Sequence, residues 1–160
     1  MKFPRVAKPL MFGAALMALA YPAFAESDQV AIVKHFYEAF NKHDTSLFDK
    51  ALAKDWVDEP MNLGQGPGLE GFKPVAAGFD KIFGDMQIVP QDFIEQGDKV
   101  VVRSLFTGKQ IGDFAGIPAT GKPISIMTID IHQIKDGKVV KTWHLENWMA
   151  AMAQLGAFGK

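Results

Sequence analysis

The sequence predicts an α+β domain: a curved antiparallel sheet forming a cone, with the N-terminal helices packed on its concave face. Three observations lead there. Between residues 27 and 83 apolar side chains recur at helical spacing. Beyond Gly84 the period drops to two, the signature of strands. The helix signals precede the strand signals instead of alternating with them, which segregates helices to one face of a sheet.

The elements follow in chain order. In "SDQVAIVKHFYEAFNKHD", residues 27–44, apolar side chains at 30, 33, 36, 37 and 40 predict a first helix, with Ser27 or Asp28 placed to cap it. Asp44 or Thr45 caps a short second helix over "SLFDKALA". "DWVDEP" reads as a short extended piece, and the glycine-rich "NLGQGPGLEG", 62–71, as a loop. A third helix is expected over 71–83, with Phe72, Val75, Ala76, Phe79, Ile82 and Phe83 as its apolar set. Four strands follow, in "MQIVPQDFIEQ", "KVVVRSLFTGKQ", "ISIMTIDIHQI" and "KVVKTWHLENW". "QGDK" and "KDGK" supply hairpin turns, and "GIPATGKP" is a longer connection. "WMAAMAQLG" is a last short helix that Gly156 stops. A cone of this kind leaves a gap between sheet and helices where a small apolar ligand fits.

Residues 1–25 stand apart. Lys2, Arg5 and Lys8 precede the apolar run "LMFGAALMALA", and "AFA" at 23–25 offers a small-residue cleavage site. That pattern predicts a cleaved signal peptide and a mature single domain over 26–160 in the periplasm or the medium, with no membrane role after cleavage. Three of the 17 basic residues leave with the leader, so 14 remain against 18 acidic ones, a net charge of −4. No basic stripe suggests a nucleic-acid partner. The chain has no cysteine, which rules out thiolate nucleophiles and zinc–thiolate sites. It also lacks a G-x-S-x-G elbow, a phosphate-binding loop and a dinucleotide fingerprint.

"FNKHD", "DWVDEPMNLGQGPGLEGFK", "GDKVVVRSLFTGKQIGDFAGIPATGKPI" and "IDIHQIKDGKVVKTWHLENWMAAMAQLG" resemble the SnoaL-like polyketide cyclases, also called ester cyclases, over nearly all of 28–156. The resemblance implies the cone of the nuclear-transport-factor-2-like (cystatin-like) superfamily, with an enclosed cavity. That fold hosts cyclases, dehydratases, isomerases and pure binding modules. The resemblance further implies a catalytic aspartate on the last strand, supported by a histidine on the strand before. Aligned through "DGK", those positions fall on His144 and Asp130, the same pair of residue types exchanged in place.

Whether Asp130 and His144 meet depends on the "KDGK" hairpin. A strict two-residue turn pairs 130 with 143 and sends 144 to the other face. A three-residue loop with a glycine bulge pairs 130 with 144, and the family alignment favours it. Thr128, Asp130, His132 and Ile134 then share a cavity face with Val140, Thr142, His144 and Glu146. Met127, Ile129 and Ile131 with Val139, Trp143 and Leu145 form the other face, expected to pack as core.

On this register His144 is the expected general acid/base and Asp130 orients its ring, a pair suited to proton abstraction next to a carbonyl and needing no metal or organic cofactor. The alternatives are ligand binding without chemistry, and a histidine that merely satisfies a buried carboxylate. Asp130, His132 and His144 could also compose a two-histidine, one-carboxylate metal site. Trp56, Asp58 and Glu59 match a family stretch at the cavity mouth; the alternative places Trp56 in the core. Arg103 either binds an anionic substrate group or pairs with a carboxylate such as Asp130 or Glu146. His132 adds a polar contact, and Trp143 and Trp148 help to shape or close the pocket. The expected partner is a small apolar carbonyl compound. A binding module would also allow a homodimer through the outer face of the sheet.

Overall fold

The computed structural model describes residues 27–159. The expected leader and its cleavage site lie outside the described residues. Ser27 caps α1 (Asp28–Asn41), its Oγ accepting from the Val30 N–H at 3.2 Å. The helix buries Val33, Phe36, Tyr37 and Phe40 along one stripe. Asp44 accepts from the Ser46 N–H at 3.0 Å and starts a 3-10 turn, Thr45–Leu47, that runs into α2 (Phe48–Ala51).

The extended piece expected at "DWVDEP" is longer and does more than connect. It is β1 (Leu52–Glu59), which joins the sheet as an edge strand. The third helix, α3 (Gly68–Ile82), starts three residues before the expected position. Gly71 is inside it, not at its start, because the 60–67 loop crosses directly against the helix there. A Cβ on Gly71 would lie 2.1 Å from the Gly66 carbonyl atoms.

The remaining strands are β2 (Phe83–Gln96), β3 (Lys99–Gln110), β4 (Pro123–Lys135) and β5 (Lys138–Glu146), followed by α4 (Trp148–Leu155). The five strands form a curved, open sheet in the order β1-β5-β4-β3-β2. All pairs are antiparallel except β1 with β5, which is parallel and corrects the expectation of a purely antiparallel sheet. None of the described helices is long and apolar enough to cross a membrane.

The β4–β5 hairpin resolves the register by a route between the two expectations. Lys135 pairs with Lys138 across a two-residue turn, with Asp136 at φ 50° and Gly137 at φ 73°. The extra residue sits within β5 instead, where the register shifts between Ile134–Val139 and Gln133–Lys141 and leaves Val140 as the bulge. Asp130 therefore pairs with His144, and Val139, not Val140, turns inward.

The assignment of the two faces needs one correction. The polar face of the hairpin is the concave, buried one, covered by α1 and α3. The opposite face, expected to pack as core, is convex and partly open to solvent: Met127 is 48% and Leu145 73% exposed. The core lies between helices and sheet. Phe72 sits at its centre, with ring centroids 4.9 Å from Trp56, 5.1 Å from Phe48 and 6.1 Å from Phe40.

Candidate active site

The helices do not fill the cone. A cavity of about 570 Å³, its opening to solvent included, remains between the concave sheet and the helices. Phe36, Phe40, Phe72 and Phe79 from the helices, with Ile88, Phe106 and Trp148, give it apolar walls. The polar groups converge at one end: Asp58 from β1, Thr128 and Asp130 from β4, Thr142, His144 and Glu146 from β5, and Tyr37 from α1. Alternation along the strands explains the grouping, since residues two apart share a face and Asp130 and His144 are cross-strand partners.

His144 is held from three sides. Its Nδ1 bonds Glu146 Oε1 at 2.9 Å. Its Nε2 bonds the Pro60 carbonyl at 2.8 Å and lies 3.3 Å from Asp58 Oδ1. Burial disfavours the charged ring, but hydrogen bonds to Asp58 and Glu146, and the charges of both, outweigh it and push the imidazole up to about 11. Near neutral pH it is an imidazolium with both N–H groups engaged.

The two carboxylates are anchored in turn. Trp148 Nε1 donates to Glu146 Oε2 at 3.1 Å, and Gln65 Nε2 to Asp58 Oδ2 at 3.0 Å. Gln65 is fixed through its own Oε1, which accepts from the backbone and side-chain N–H groups of Asn62. The glycine-rich loop thus serves as a support for Asp58.

Asp130 is only 5% exposed, and its partner is not the imidazole. Its Oδ2 accepts from the Tyr37 hydroxyl at 2.8 Å. Burial lifts its carboxyl from 3.8 to about 7; the Tyr37 bond pulls it down, the Glu146 charge pushes it up, the His144 charge lowers it and Asp58 raises it. Thr128, beside it on β4, has a buried hydroxyl with no partner among the described residues.

Of the residues singled out in the sequence, Asp58, Asp130, His144 and Trp148 line the cavity together. His132 does not reach it. It is fully buried behind the floor, with Nε2 3.0 Å from Tyr37 Oη and Nδ1 3.0 Å from Thr142 Oγ1. Burial and the nearby His144 charge push its pKa down to about 3. The metal triad with His132 is therefore not assembled. Asp130, His144 and Glu146 bring ligand-type atoms within 4.8 Å of one another, but both imidazole nitrogens there are already committed.

Trp56 is core, its Nε1 donating to Thr142 Oγ1 at 3.0 Å. Trp143 points to the convex face, where Lys141 Nζ lies 4.5 Å above its ring and also pairs with Glu59. Arg103 lies on that face too and pairs with Asp92 at 2.6 Å, not with Asp130 or Glu146. In a strand, position 103 faces opposite to 102 and 104, both buried, so it cannot reach the cavity. Tyr37, Asn62 and Gln65 are site residues that the sequence did not single out, whereas Thr128 is on the expected cavity face. Tyr37 did carry a signal: a phenol in an apolar helical stripe needs a buried partner.

Comparisons with known proteins bear on the family and the fold. Aklanonic acid methyl ester cyclase DnrD of Streptomyces peucetius is 25% identical over 134 residues, which cover 81% of this chain and 92% of that protein. The structure of TsrD from Streptomyces laurentii superposes with a TM-score of 0.76 at 29% identity, covering 84% of this chain and 100% of that one. IdmH of Streptomyces antibioticus gives a TM-score of 0.70 at 28% identity, covering 80% and 98%. The sequence model of the SnoaL-like polyketide cyclases matches residues 31–155, and the chain belongs to that family.

Proposed function

We propose that the cavity catalyses an acid/base ring closure, an intramolecular aldol-type addition, on a small, uncharged and largely apolar carbonyl compound. Membership of the family supports a cyclase-type function. The observation that carries the mechanism is a buried carboxyl, Asp130, paired across adjacent strands with an imidazole held between two other carboxylates; burial lifts Asp130 to about 7 and the carboxylates push His144 up to about 11. At neutral pH the imidazole keeps its proton and supplies fixed positive charge, while the carboxyl can take one and return it. The roles expected from the sequence exchange places.

Asp130 removes a proton from a carbon next to a carbonyl, and the bond's electrons pass into an enolate. The positive charge of the adjacent imidazolium stabilises that negative charge. The enolate carbon attacks a second carbonyl of the same molecule, and the new alkoxide takes the proton back from Asp130. Double-bond isomerisation uses the same first step, and dehydration adds loss of hydroxide. Acid/base chemistry of this kind needs no cofactor.

Aromatic walls and the absence of lysine and arginine among the described lining residues favour an uncharged substrate. The leader pattern of residues 1–25 supports a working place in the periplasm or the medium. Exposed Met127, Leu145 and Leu105 on the convex face support a homodimer.

Linear polyketo methyl esters incubated in deuterated water test both steps. The parent protein should place deuterium next to the carbonyl and form the ring, and Asp130→Asn should do neither. Binding of the ester with no deuterium uptake and no ring would overturn catalysis and leave the cavity as a binding module.

A further inference from the structure

We infer that Trp56, Thr142, His132 and Tyr37 form a one-way chain of hydrogen bonds that ends on Asp130 and selects which oxygen of its carboxyl group exchanges a proton. The inference rests on Asp130 being the proton-transferring group. The links are all buried: Trp56 Nε1 to Thr142 Oγ1 at 3.0 Å, Thr142 Oγ1 to His132 Nδ1 at 3.0 Å, His132 Nε2 to Tyr37 Oη at 3.0 Å, and Tyr37 Oη to Asp130 Oδ2 at 2.8 Å.

The two ends fix the direction. An indole N–H only donates, so Thr142 Oγ1 accepts from Trp56. A carboxylate only accepts, so the single hydroxyl hydrogen of Tyr37 goes to Asp130. The imidazole between them is uncharged and has one N–H. Tyr37 Oη, with its hydrogen committed, can only accept, so that N–H is on Nε2. Nδ1 is then bare and accepts from the Thr142 hydroxyl. Every polar hydrogen from Trp56 Nε1 to Tyr37 Oη then has an acceptor. The other tautomer fails at both ends. Its Nδ1–H would occupy Thr142 Oγ1 beside the Trp56 N–H and leave the threonine hydrogen with no acceptor, and Nε2 would draw the Tyr37 hydrogen away from the carboxylate.

The consequence reaches the chemistry. Oδ2 already accepts from Tyr37, while Oδ1 has no hydrogen-bond partner among the described residues, so the proton taken from substrate arrives on Oδ1. The four residues position and tune Asp130. The other charged groups facing it are Asp58 from β1 and His144 and Glu146 from β5, and none of them touches Oδ2.

Nitrogen-15 spectra of labelled histidine read the tautomer directly, without substrate or mutation. At about pH 9, where Asp130 is ionised, His132 should be uncharged and protonated on Nε2. In Tyr37→Phe the carbon-13 titration midpoint of Asp130 should rise by about one pH unit, as a carboxylate loses its donor. Thr142→Ser, which keeps the hydroxyl, should leave both signals in place. A parent His132 protonated on Nδ1, or an unmoved midpoint in Tyr37→Phe, would overturn the chain. Neither readout depends on turnover. Deuterium uptake that survives Asp130→Asn would instead overturn the assignment of the base.

Discussion

Asp130→Asn should make the protein more stable in mild alkali and bring no such gain in acid. The side chain is 5% exposed, and burial holds its carboxyl near 7 against an ordinary 3.8. Below about pH 4 the folded and unfolded chains both carry the proton, and the group contributes nothing to the pH dependence. Between about pH 4 and pH 7 the unfolded chain ionises while the folded one keeps its proton, so stability falls as pH rises. Above that window the cost levels off at about 4 kcal/mol, from about three pH units at 1.36 kcal/mol each. Asparagine has the same shape, still accepts from Tyr37 and never ionises. Any fixed cost of its amide is the same at every pH. Urea unfolding across this range should show the stability difference, variant minus parent, rising by about 4 kcal/mol between pH 4 and pH 8. His144 keeps its proton in the folded chain and loses it in the unfolded one above about pH 6.5, a slope common to parent and variant that cancels in the difference. A difference that is flat, or that falls with pH, would refute the argument that burial governs this carboxyl.

Three other perturbations probe the surrounding structure. Glu146→Gln keeps an acceptor for His144 Nδ1 but removes its charge, so the imidazole midpoint seen by proton NMR should fall from about 11 by at least about one unit. The stability that the imidazolium contributes, present at neutral pH and lost as pH rises through the folded midpoint, should be lost at correspondingly lower pH. Thr128→Val replaces a buried hydroxyl that has no partner among the described residues with a methyl group, and should raise stability by about 1 kcal/mol in the ligand-free protein. Gly71→Ala drives a methyl group into the Gly66 backbone; it should cost about 2 kcal/mol or more in denaturant unfolding and loosen the loop that holds Gln65 against Asp58.

Local signals in the sequence carried much of the fold. Helix caps at Ser27 and Asp44, the change of period after Gly84, and the Asp136–Gly137 turn all act over a few residues. What escaped acts over distance. β1 pairs in parallel with β5, some 85 residues away, and parallel pairing leaves no turn signal between partners. Gly71 reads as a loop glycine, because nothing local shows that another segment of backbone crosses it. In the site, the hairpin alone left Asp130 opposite either residue 143 or His144, and the family resemblance favoured His144; the bonds they make could not be anticipated. Those depend on Tyr37 from α1 and Asp58 from β1, whose approach is set by helix packing and the parallel edge. Arg103 went astray for a related reason. The alternation of β3 was visible, but not which of its faces is concave.

The choice between Asp130 and His144 as the base comes down to availability near neutral pH. An imidazole with a midpoint near 11 is free of its proton in only about one molecule in 10⁴ at pH 7. A carboxyl near 7 is about half ionised there, close to the best compromise between being deprotonated and being basic enough to act. The two assignments therefore predict different profiles of kcat/KM for an uncharged substrate. With Asp130 as the base, the rate climbs through about pH 7 and then stays level until the imidazolium begins to lose its proton in strong alkali. With His144 as the base, the climb continues without a plateau to about pH 11, where the ring becomes neutral. Glu146→Gln sharpens the contrast, because it lowers the His144 midpoint and also removes a charge that raises Asp130. If Asp130 is the base, the rising limb shifts slightly to lower pH and the alkaline fall begins earlier. If His144 is the base, the whole rising limb moves down by at least about one unit, and that result would reverse the assignment.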